Sequence, residues 1–202
     1  MKKRVKQLGS LIMLIRTIIP VLAVVFDKKL RKYVYKDLYV NEYRCIFKKT
    51  DSILFLNYLL QIDLSFRAIF YFRLRKNHII SYYISNILLP NKKDIDIYGD
   101  IQPGFRIFHG HGSVIVCNKA GENFSVWQNV TIGRNPKTAV NSIDTPSFGN
   151  NVNVYANSVV IGNITIGDNV NIAAGAVVYK SVPDNCTVVG NQMKIIKKKI
   201  SE

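Results

Sequence analysis

The sequence predicts a mainly β fold, a parallel β-helix of hexapeptide repeats, preceded by an α-helical N-terminal segment. Two observations predict it. In the second half of the chain, apolar residues recur at every sixth position, and Gly, Asn and Asp fill the gaps between them. The first half instead carries long aliphatic and aromatic runs at helical spacing, with lysine and arginine interleaved.

The repeat is clearest from residue 146 onward. A period of six fits neither a helix nor a plain alternating strand, but it suits short strands joined by tight turns. Three such hexapeptides make one triangular coil, and stacked coils bury a column of aliphatic side chains. The inward positions are Pro146, Val152, Ser158, Ile164, Val170, Ala176, Val182 and Val188, with Phe148, Val154, Val160, Ile166, Ile172 and Val178 two residues later.

The same period continues upstream from Ile95 to Val130, with an irregular turn at residues 109–118. Residues 134–145 lack the inward apolar spacing. In a solenoid such insertions form loops on one face, and these loops often carry function. We therefore expect a protruding loop at 134–145.

Composition divides the chain into four parts. The first ninety residues carry long apolar runs broken by lysine and arginine, whereas residues 94–191 are rich in Gly, Asn, Val and Ile. The expected parts are a basic, apolar, membrane-associating segment (1–35), an α-helical region (36–92), the β-helix domain (93–196) and a basic tail (197–202).

The chain carries a formal net charge of +15. Its basic residues lie among apolar ones, which favours peripheral contact with an anionic membrane surface over binding to nucleic acid. Residues 8–26 follow a basic flank, as in a signal anchor, but Arg16 and Pro20 interrupt them, so an interfacial or protein-packed helix is favoured over a spanning one. We expect a cytoplasmic protein at the inner face of the cell membrane.

The three cysteines, Cys45, Cys117 and Cys186, form no Cys-x-x-Cys pair, so a reducing compartment and buried apolar roles are expected. A zinc site of the β-helical carbonic anhydrase kind would need three converging histidines. His111 is expected to be a solvated turn residue, and His78 lies in the helical region. No metal is therefore predicted.

Several segments resemble the serine acetyltransferases, a family of hexapeptide-repeat enzymes. Residues 94–109 match without gaps the segment of that family that ends in the catalytic histidine, and residues 109–112 (HGHG) stand where the family has His-x-x-Gly. Residues 125–133 (SVWQNVTIG) are similar to its S-x-x-Q-S-V-T-L-G stretch. Residues 155–163, 172–178 and 182–196 resemble its final coils and closing segment.

Two N-terminal stretches look most like the serine-acetyltransferase-like enzymes of polysaccharide gene clusters. They are residues 36–39 (KDLY) and 65–74 (SFRAIFYFRL). The resemblance implies a left-handed β-helix, acetyl-CoA as co-substrate, and a homotrimer or a higher assembly whose active sites are completed between subunits.

The resemblance also implies the site residues. His109 matches the catalytic base, which acetyl transfer needs because an alcohol is a poor nucleophile at neutral pH. Asp94 takes the role of the carboxylate that orients the base, and Asp96 is the alternative, because one slip of register would exchange the two. Either carboxylate is otherwise an ordinary corner residue.

Coenzyme A contacts are implied at three small corner residues, Gly133, Ala156 and Ala174, although tight turns also require small residues. Lys194 and Lys198 are candidates for its phosphates, or solvated residues of a basic terminus. Phe108 and Trp127 are expected at the substrate, where Trp127 stacks on a sugar or on adenine, or packs against a neighbouring subunit.

The expected function is acetyl transfer to a sugar or lipid-linked saccharide hydroxyl in capsular, O-antigen or exopolysaccharide biosynthesis. The alternative is a serine O-acetyltransferase of cysteine biosynthesis. Phe108 stands where true serine acetyltransferases carry an Asp that holds the amino acid, which argues against that alternative. A third hypothesis is a non-catalytic, membrane-bound scaffold. The presence of His109 and Asp94 argues against it.

Overall fold

The computed structural model describes residues 15–41, 52–91, 94–141 and 143–190. Helices occupy the first part and short strands the second, as the sequence predicts. The helices are α1 (residues 15–26), α2 (Lys28–Val40), α3 (Ser52–Ile62), α4 (Leu64–Asn77) and α5 (Ile79–Leu88). The expected boundary at residue 35 falls inside α2.

Within its described residues the second part contains twelve strands, and the ladders between them are parallel. They are β1 (Ile95–Ile101), β2 (Arg106–Ile107), β3 (Ser113–Ala120), β4 (Ser125–Val126), β5 (Thr131–Gly133), β6 (Ser147–Phe148), β7 (Asn153–Val154), β8 (Val159–Ile161), β9 (Thr165–Ile166), β10 (Asn171–Ile172), β11 (Val177–Val178) and β12 (Thr187–Val188).

The strands form three faces, which confirms the predicted triangular coils. One face has the strand order β1-β3-β5-β8-β11. The strands β1 and β3 are long enough to turn the corner, and their C-terminal ends belong to a second face, where β6 pairs with β3 and β9 pairs with β6. The third face has the order β2-β4-β7-β10-β12. The predicted inward positions line the buried core from Val152 to Val178, while Val182 and Val188 pack against its end partly buried.

Asparagines hold one corner of successive coils in left-handed backbone conformations. Asn123, Asn151, Asn169 and Asn185 have φ between 55° and 59°. Asparagine tolerates this region better than branched residues do. Their side-chain amides also form a ladder, in which Asn123 donates to Asn151 over 2.9 Å and Asn151 donates to Asn169 over 3.0 Å. The corner residues therefore stabilise the stack as well as the turns.

A buried ion pair joins the helices to the first coil. Asp37 of α2 lies 2.8 Å from Nε of Arg73 of α4, and its Oδ1 accepts hydrogen bonds from the backbone N–H groups of Gly104 and Phe105, each over 2.8 Å. Burial raises the pKa of the Asp37 carboxyl, and the Arg73 guanidinium and these amides oppose that shift. This pair gives a structural role to the two N-terminal stretches noted in the sequence.

Burial of Cys117 raises the pKa of its thiol to about 12, so this cysteine is a packed, unreactive side chain. Cys186 is half-buried, and Cys45 lies outside the described residues.

Within the described residues, no helix combines the length and the apolar character that a membrane crossing requires.

Candidate active site at one corner of the β-helix

The predicted residues His109, Phe108, Trp127, Ala156 and Ala174 lie at the corner between the third face and the first, whereas Gly133 lies at the next corner, at the other end of β5. Successive coils pass this corner at residues 108–112, 127–130, 155–158 and 173–176. Backbone hydrogen bonds stack them: Asn129 donates to the His111 carbonyl over 2.8 Å, and Gly175 donates to the Ala156 carbonyl over 2.9 Å. Because neighbouring coils are about 4.8 Å apart, Ala156 lies about two coils, or about 10 Å, along the corner from His109.

His109 occupies the tip of a tight turn. Its φ is 63°, and the Gly110 N–H donates to the Phe108 carbonyl over 2.7 Å, which closes a three-residue γ-type turn. A histidine at positive φ costs conformational energy, a feature that concentrates at functional sites. The His109 side chain is exposed, whereas Gly110 is buried against Ile107 and Ile95. The turn therefore presents the imidazole to solvent.

Asp94, predicted to orient His109, contacts a different histidine. Its Oδ2 lies 3.4 Å from Nδ1 of His111, and both side chains are largely exposed. His111 lies in an exposed turn, as expected, but with this carboxylate beside it. Asp96, the alternative orienting residue, is exposed on β1 in register with Val114 of β3. The structure thus brings Asp94 to the site but next to the second histidine.

Three aromatic rings stack along the same corner. Phe108 and Trp127 have ring centroids 4.2 Å apart at 11°, and Trp127 and Tyr155 have centroids 4.4 Å apart at 37°. The Arg106 guanidinium lies over the Phe108 ring at 5.2 Å. Because β4 lies between β2 and β7, the two neighbours cover opposite faces of the indole. Trp127 therefore offers its edge, rather than a free face, to another molecule.

Sequence reasoning missed Tyr155. The signal was present, because Tyr155 follows the inward Val154 just as Trp127 follows Val126 and Phe108 follows Ile107. In a solenoid, equivalent positions of successive coils lie one above another.

Gly133 is unusual among the glycines of the β-helix. A Cβ at this position would meet no atom within 4 Å, and its φ is outside the left-handed region. Neither the backbone nor the packing within this chain therefore requires a glycine here. At Gly175, next to Ala174, space is equally open, but φ is +71°. Gly133 is consistent with close approach of another molecule to the backbone.

The loop at 134–145 begins directly after Gly133 and is held by its own polar contacts. Nε of Arg134 lies 3.1 Å from the Asp144 carboxylate, and the Asn163 N–H donates to the Thr138 hydroxyl over 2.8 Å. A short 3-10 turn spans Pro136–Thr138. Val140 and Ile143 are exposed at the tip, so the loop presents apolar side chains outward.

Lys194 and Lys198 lie outside the described residues, as does the basic tail. Among the residues that the structure describes, no group of three His, Cys, Asp or Glu side chains is placed to hold a metal ion.

The comparisons with known proteins point to acetyltransferases. The family described as Bacterial transferase hexapeptide (six repeats) matches residues 145–180. The chain is 43% identical over 92 residues to the Putative colanic acid biosynthesis acetyltransferase WcaB of Escherichia coli K12, covering 45% of this chain and 55% of that protein. It is 40% identical over 106 residues to the serine acetyltransferase of Staphylococcus xylosus, covering 51% and 48% of the two chains.

The solved serine acetyltransferase of Neisseria gonorrhoeae in complex with serine superimposes with a TM-score of 0.61 at 27% identity, covering 86% of this chain and 72% of that one. This likeness confirms the predicted left-handed β-helix and the predicted resemblance to the serine acetyltransferase-like proteins. The chain spans about half the length of the curated relatives that it matches.

Proposed function

We propose that this chain is an acetyl-CoA-dependent O-acetyltransferase that acts on a sugar hydroxyl in capsular, O-antigen or exopolysaccharide biosynthesis. The observation that carries the proposal is His109, which is exposed at the tip of a left-handed turn, on the same corner as Ala156, Ala174 and the open space at Gly175. The similarity of the β-helix to named acetyltransferases supports it.

In this reaction His109 is the general base. The acceptor hydroxyl oxygen attacks the thioester carbonyl carbon while the imidazole takes the hydroxyl proton. The carbonyl then re-forms, the carbon–sulfur bond breaks, and coenzyme A leaves as a thiolate that recovers the proton from His109. Asp94 is proposed to support the base, directly or through the turn that holds both histidines.

Gly133, Ala156 and Ala174 are the proposed contacts of the coenzyme A arm, with Lys194 at its phosphates. The small side chains and the open space at Gly133 fit an extended ligand that approaches the backbone closely.

The acceptor is proposed to meet the aromatic stack. Phe108 lies beside His109, and an uncharged aromatic residue at this position suits a sugar better than the charges of an amino acid. Because the faces of Trp127 are covered, we propose that this residue contributes its ring edge and indole N–H. Tyr155 extends the stack by one coil.

The assembly is proposed to be a homotrimer in which the 134–145 loop reaches a neighbouring subunit. Its exposed Val140 and Ile143 support this role, because apolar tips favour contact with another surface. The enzyme is further proposed to act at the cytoplasmic face of the cell membrane, because the chain is strongly basic and a saccharide acceptor is often lipid-linked.

The test is an acceptor panel. Purified full-length chain is incubated with acetyl-CoA and nucleotide sugars, oligosaccharides or lipid-linked saccharides, and products are identified by mass spectrometry. Acetylation of a sugar hydroxyl supports the proposal. Acetyl transfer to none of the saccharides, under conditions in which L-serine is acetylated, rejects it.

A second candidate is serine O-acetyltransferase of cysteine biosynthesis. The similarity to the serine acetyltransferases of Staphylococcus xylosus and Neisseria gonorrhoeae favours it. Phe108 argues against it, since an amino acid bound without a charge partner loses hydration without compensation.

A further inference from the structure

Helices α1 and α5 lie side by side and antiparallel. At one end, Nε of Arg16 donates to the Leu88 carbonyl over 3.1 Å. At the other end, Nε2 of His78, which precedes α5, lies 2.8 Å from Oδ2 of Asp27, which follows α1. These two contacts join the start of each helix to the end of the other.

Both helices turn apolar side chains outward. On α5, Ile80 is 73% exposed and Ile87 is 79% exposed, whereas Ser85 is fully buried. On α1, Phe26 is 82% exposed, whereas Thr17 is fully buried. The exposed residues recur at helical spacing, so each helix carries a stripe. We call the two stripes together the α1/α5 surface; it consists of Ile15, Ile18, Leu22 and Phe26 with Ile79, Ile80, Tyr83, Ile84, Ile87 and Leu88.

The size of this surface is functionally significant. Two adjacent helices of this length present an area on the order of 300 Å². The largest exposed apolar patch on a typical monomer measures about 300–600 Å² and is often functional.

The charges around the surface indicate what covers it. Neither helix contains an acidic residue, and Arg16 is exposed on α1. Exposed Lys28 and Lys29 follow Asp27, whose carboxylate is paired with His78 at the end of α1. A second copy of the chain would bring this basic margin against an identical one, which is unfavourable, whereas anionic phospholipid headgroups complement it. Helices with an exposed apolar stripe and basic residues beside it lie in the plane of the membrane interface.

We propose that the α1/α5 surface inserts into the headgroup–acyl boundary of an anionic phospholipid membrane. The proposal rests on the membrane location given under the proposed function and adds the surface that mediates it. It orients the molecule with the stripes toward lipid and the basic margin at the headgroups.

The experiment is co-sedimentation of the full-length chain with phosphatidylcholine vesicles that contain or lack phosphatidylglycerol. The Ile80→Gln/Ile87→Gln variant changes α5, and Leu22→Gln/Phe26→Gln changes α1. Because these side chains are exposed, the variants are expected to fold. Val177→Gln/Val189→Gln, on the exposed outside of the β-helix, is the matched control.

We expect partition onto phosphatidylglycerol vesicles to fall at least about tenfold in each surface variant and to stay unchanged in the control, because each large apolar side chain contributes a substantial transfer free energy. Equal partition of wild type and surface variants overturns the proposal, as does failure of the wild type to bind these vesicles. A lower particle mass of the surface variants in light scattering also overturns it, because a second copy then covers the surface.

Acetyl-CoA turnover with a water-soluble acceptor is measured on the same proteins. If the wild type binds the vesicles but does not turn over acetyl-CoA, the proposed chemistry is rejected and the membrane surface is supported. Turnover with no vesicle binding rejects the surface alone.

Discussion

Oδ2 of Asp94 lies 3.4 Å from Nδ1 of His111, and this pair ties the residue before β1 to the turn before β3. His109 is at the tip of the same turn. The carboxylate therefore supports the turn that carries the proposed base, through the neighbouring histidine. This arrangement separates the roles of the two histidines experimentally.

His109→Ala is expected to lower kcat by about two to four orders of magnitude, because it removes the general base. The side chain is exposed, so the fold and the oligomer should be retained. Steady-state kinetics with acetyl-CoA and the identified acceptor measure the loss, and circular dichroism checks the fold. Wild-type rates in a folded His109→Ala protein would contradict the mechanism.

Asp94→Asn and His111→Ala are each expected to lower kcat by about tenfold, less than His109→Ala. Because their side chains form one pair, the double variant should lose little more than either single variant. A double-mutant cycle on kcat measures this coupling. Additive losses would show that Asp94 acts independently of His111, and Asp96→Asn serves as the control carboxylate.

Gly133→Ala is expected to raise the KM for acetyl-CoA by about tenfold without loss of stability. Its conformation suits alanine, so the added methyl group can stabilise the fold by about 0.4–1 kcal/mol through the unfolded chain. The control is Gly175→Ala, whose φ of +71° should cost about 1–2 kcal/mol. Thermal unfolding and acetyl-CoA saturation curves measure both effects. An unchanged KM in Gly133→Ala would remove this residue from the coenzyme site.

L-Serine is expected to be a poor acceptor, because Phe108 replaces the carboxylate that holds the amino acid in the resembling family. Kinetics of the purified chain with acetyl-CoA and L-serine, read as O-acetylserine by mass spectrometry, test this directly. Saturable formation of O-acetylserine at millimolar serine would favour cysteine biosynthesis over the polysaccharide function.

Arg73→Met is expected to destabilise the protein by about 3–5 kcal/mol, because it leaves the buried Asp37 carboxylate without its partner. Urea unfolding measures the change. Lys76→Met removes the exposed pair with Asp100 and should cost less than about 1 kcal/mol. Adding Asp37→Asn to Arg73→Met should recover part of the loss, and a further loss would show that the charge of Asp37 is not the cause.

The hexapeptide period predicted the β-helix because the direction of a side chain in a short strand is a local property. Val154, Ile166 and Ile172 point inward whatever the remainder of the chain does, and the structure buries them fully. The break in the period at 134–145 likewise identified the loop.

Contacts between side chains of different coils were harder to predict from the sequence. Asp94 is next to His111 rather than His109, because the turn at residues 109–112 departs from the repeat and three of its four residues have left-handed backbone conformations. The covered faces of Trp127 depend on the directions of the Phe108 and Tyr155 rings in the two neighbouring coils, which the repeat alone does not specify.

By itself the sequence determined the β-helix, its faces, its corners and the histidine at the candidate site, because these follow from short-range period and backbone conformation. Only the tertiary structure decided which face of α1 and α5 stays exposed. Apolar residues occur on more than one side of each helix, so the hydrophobic pattern alone does not show which side is buried. Packing against α3 and α4 selects it, and it is this choice that leaves an apolar surface outward.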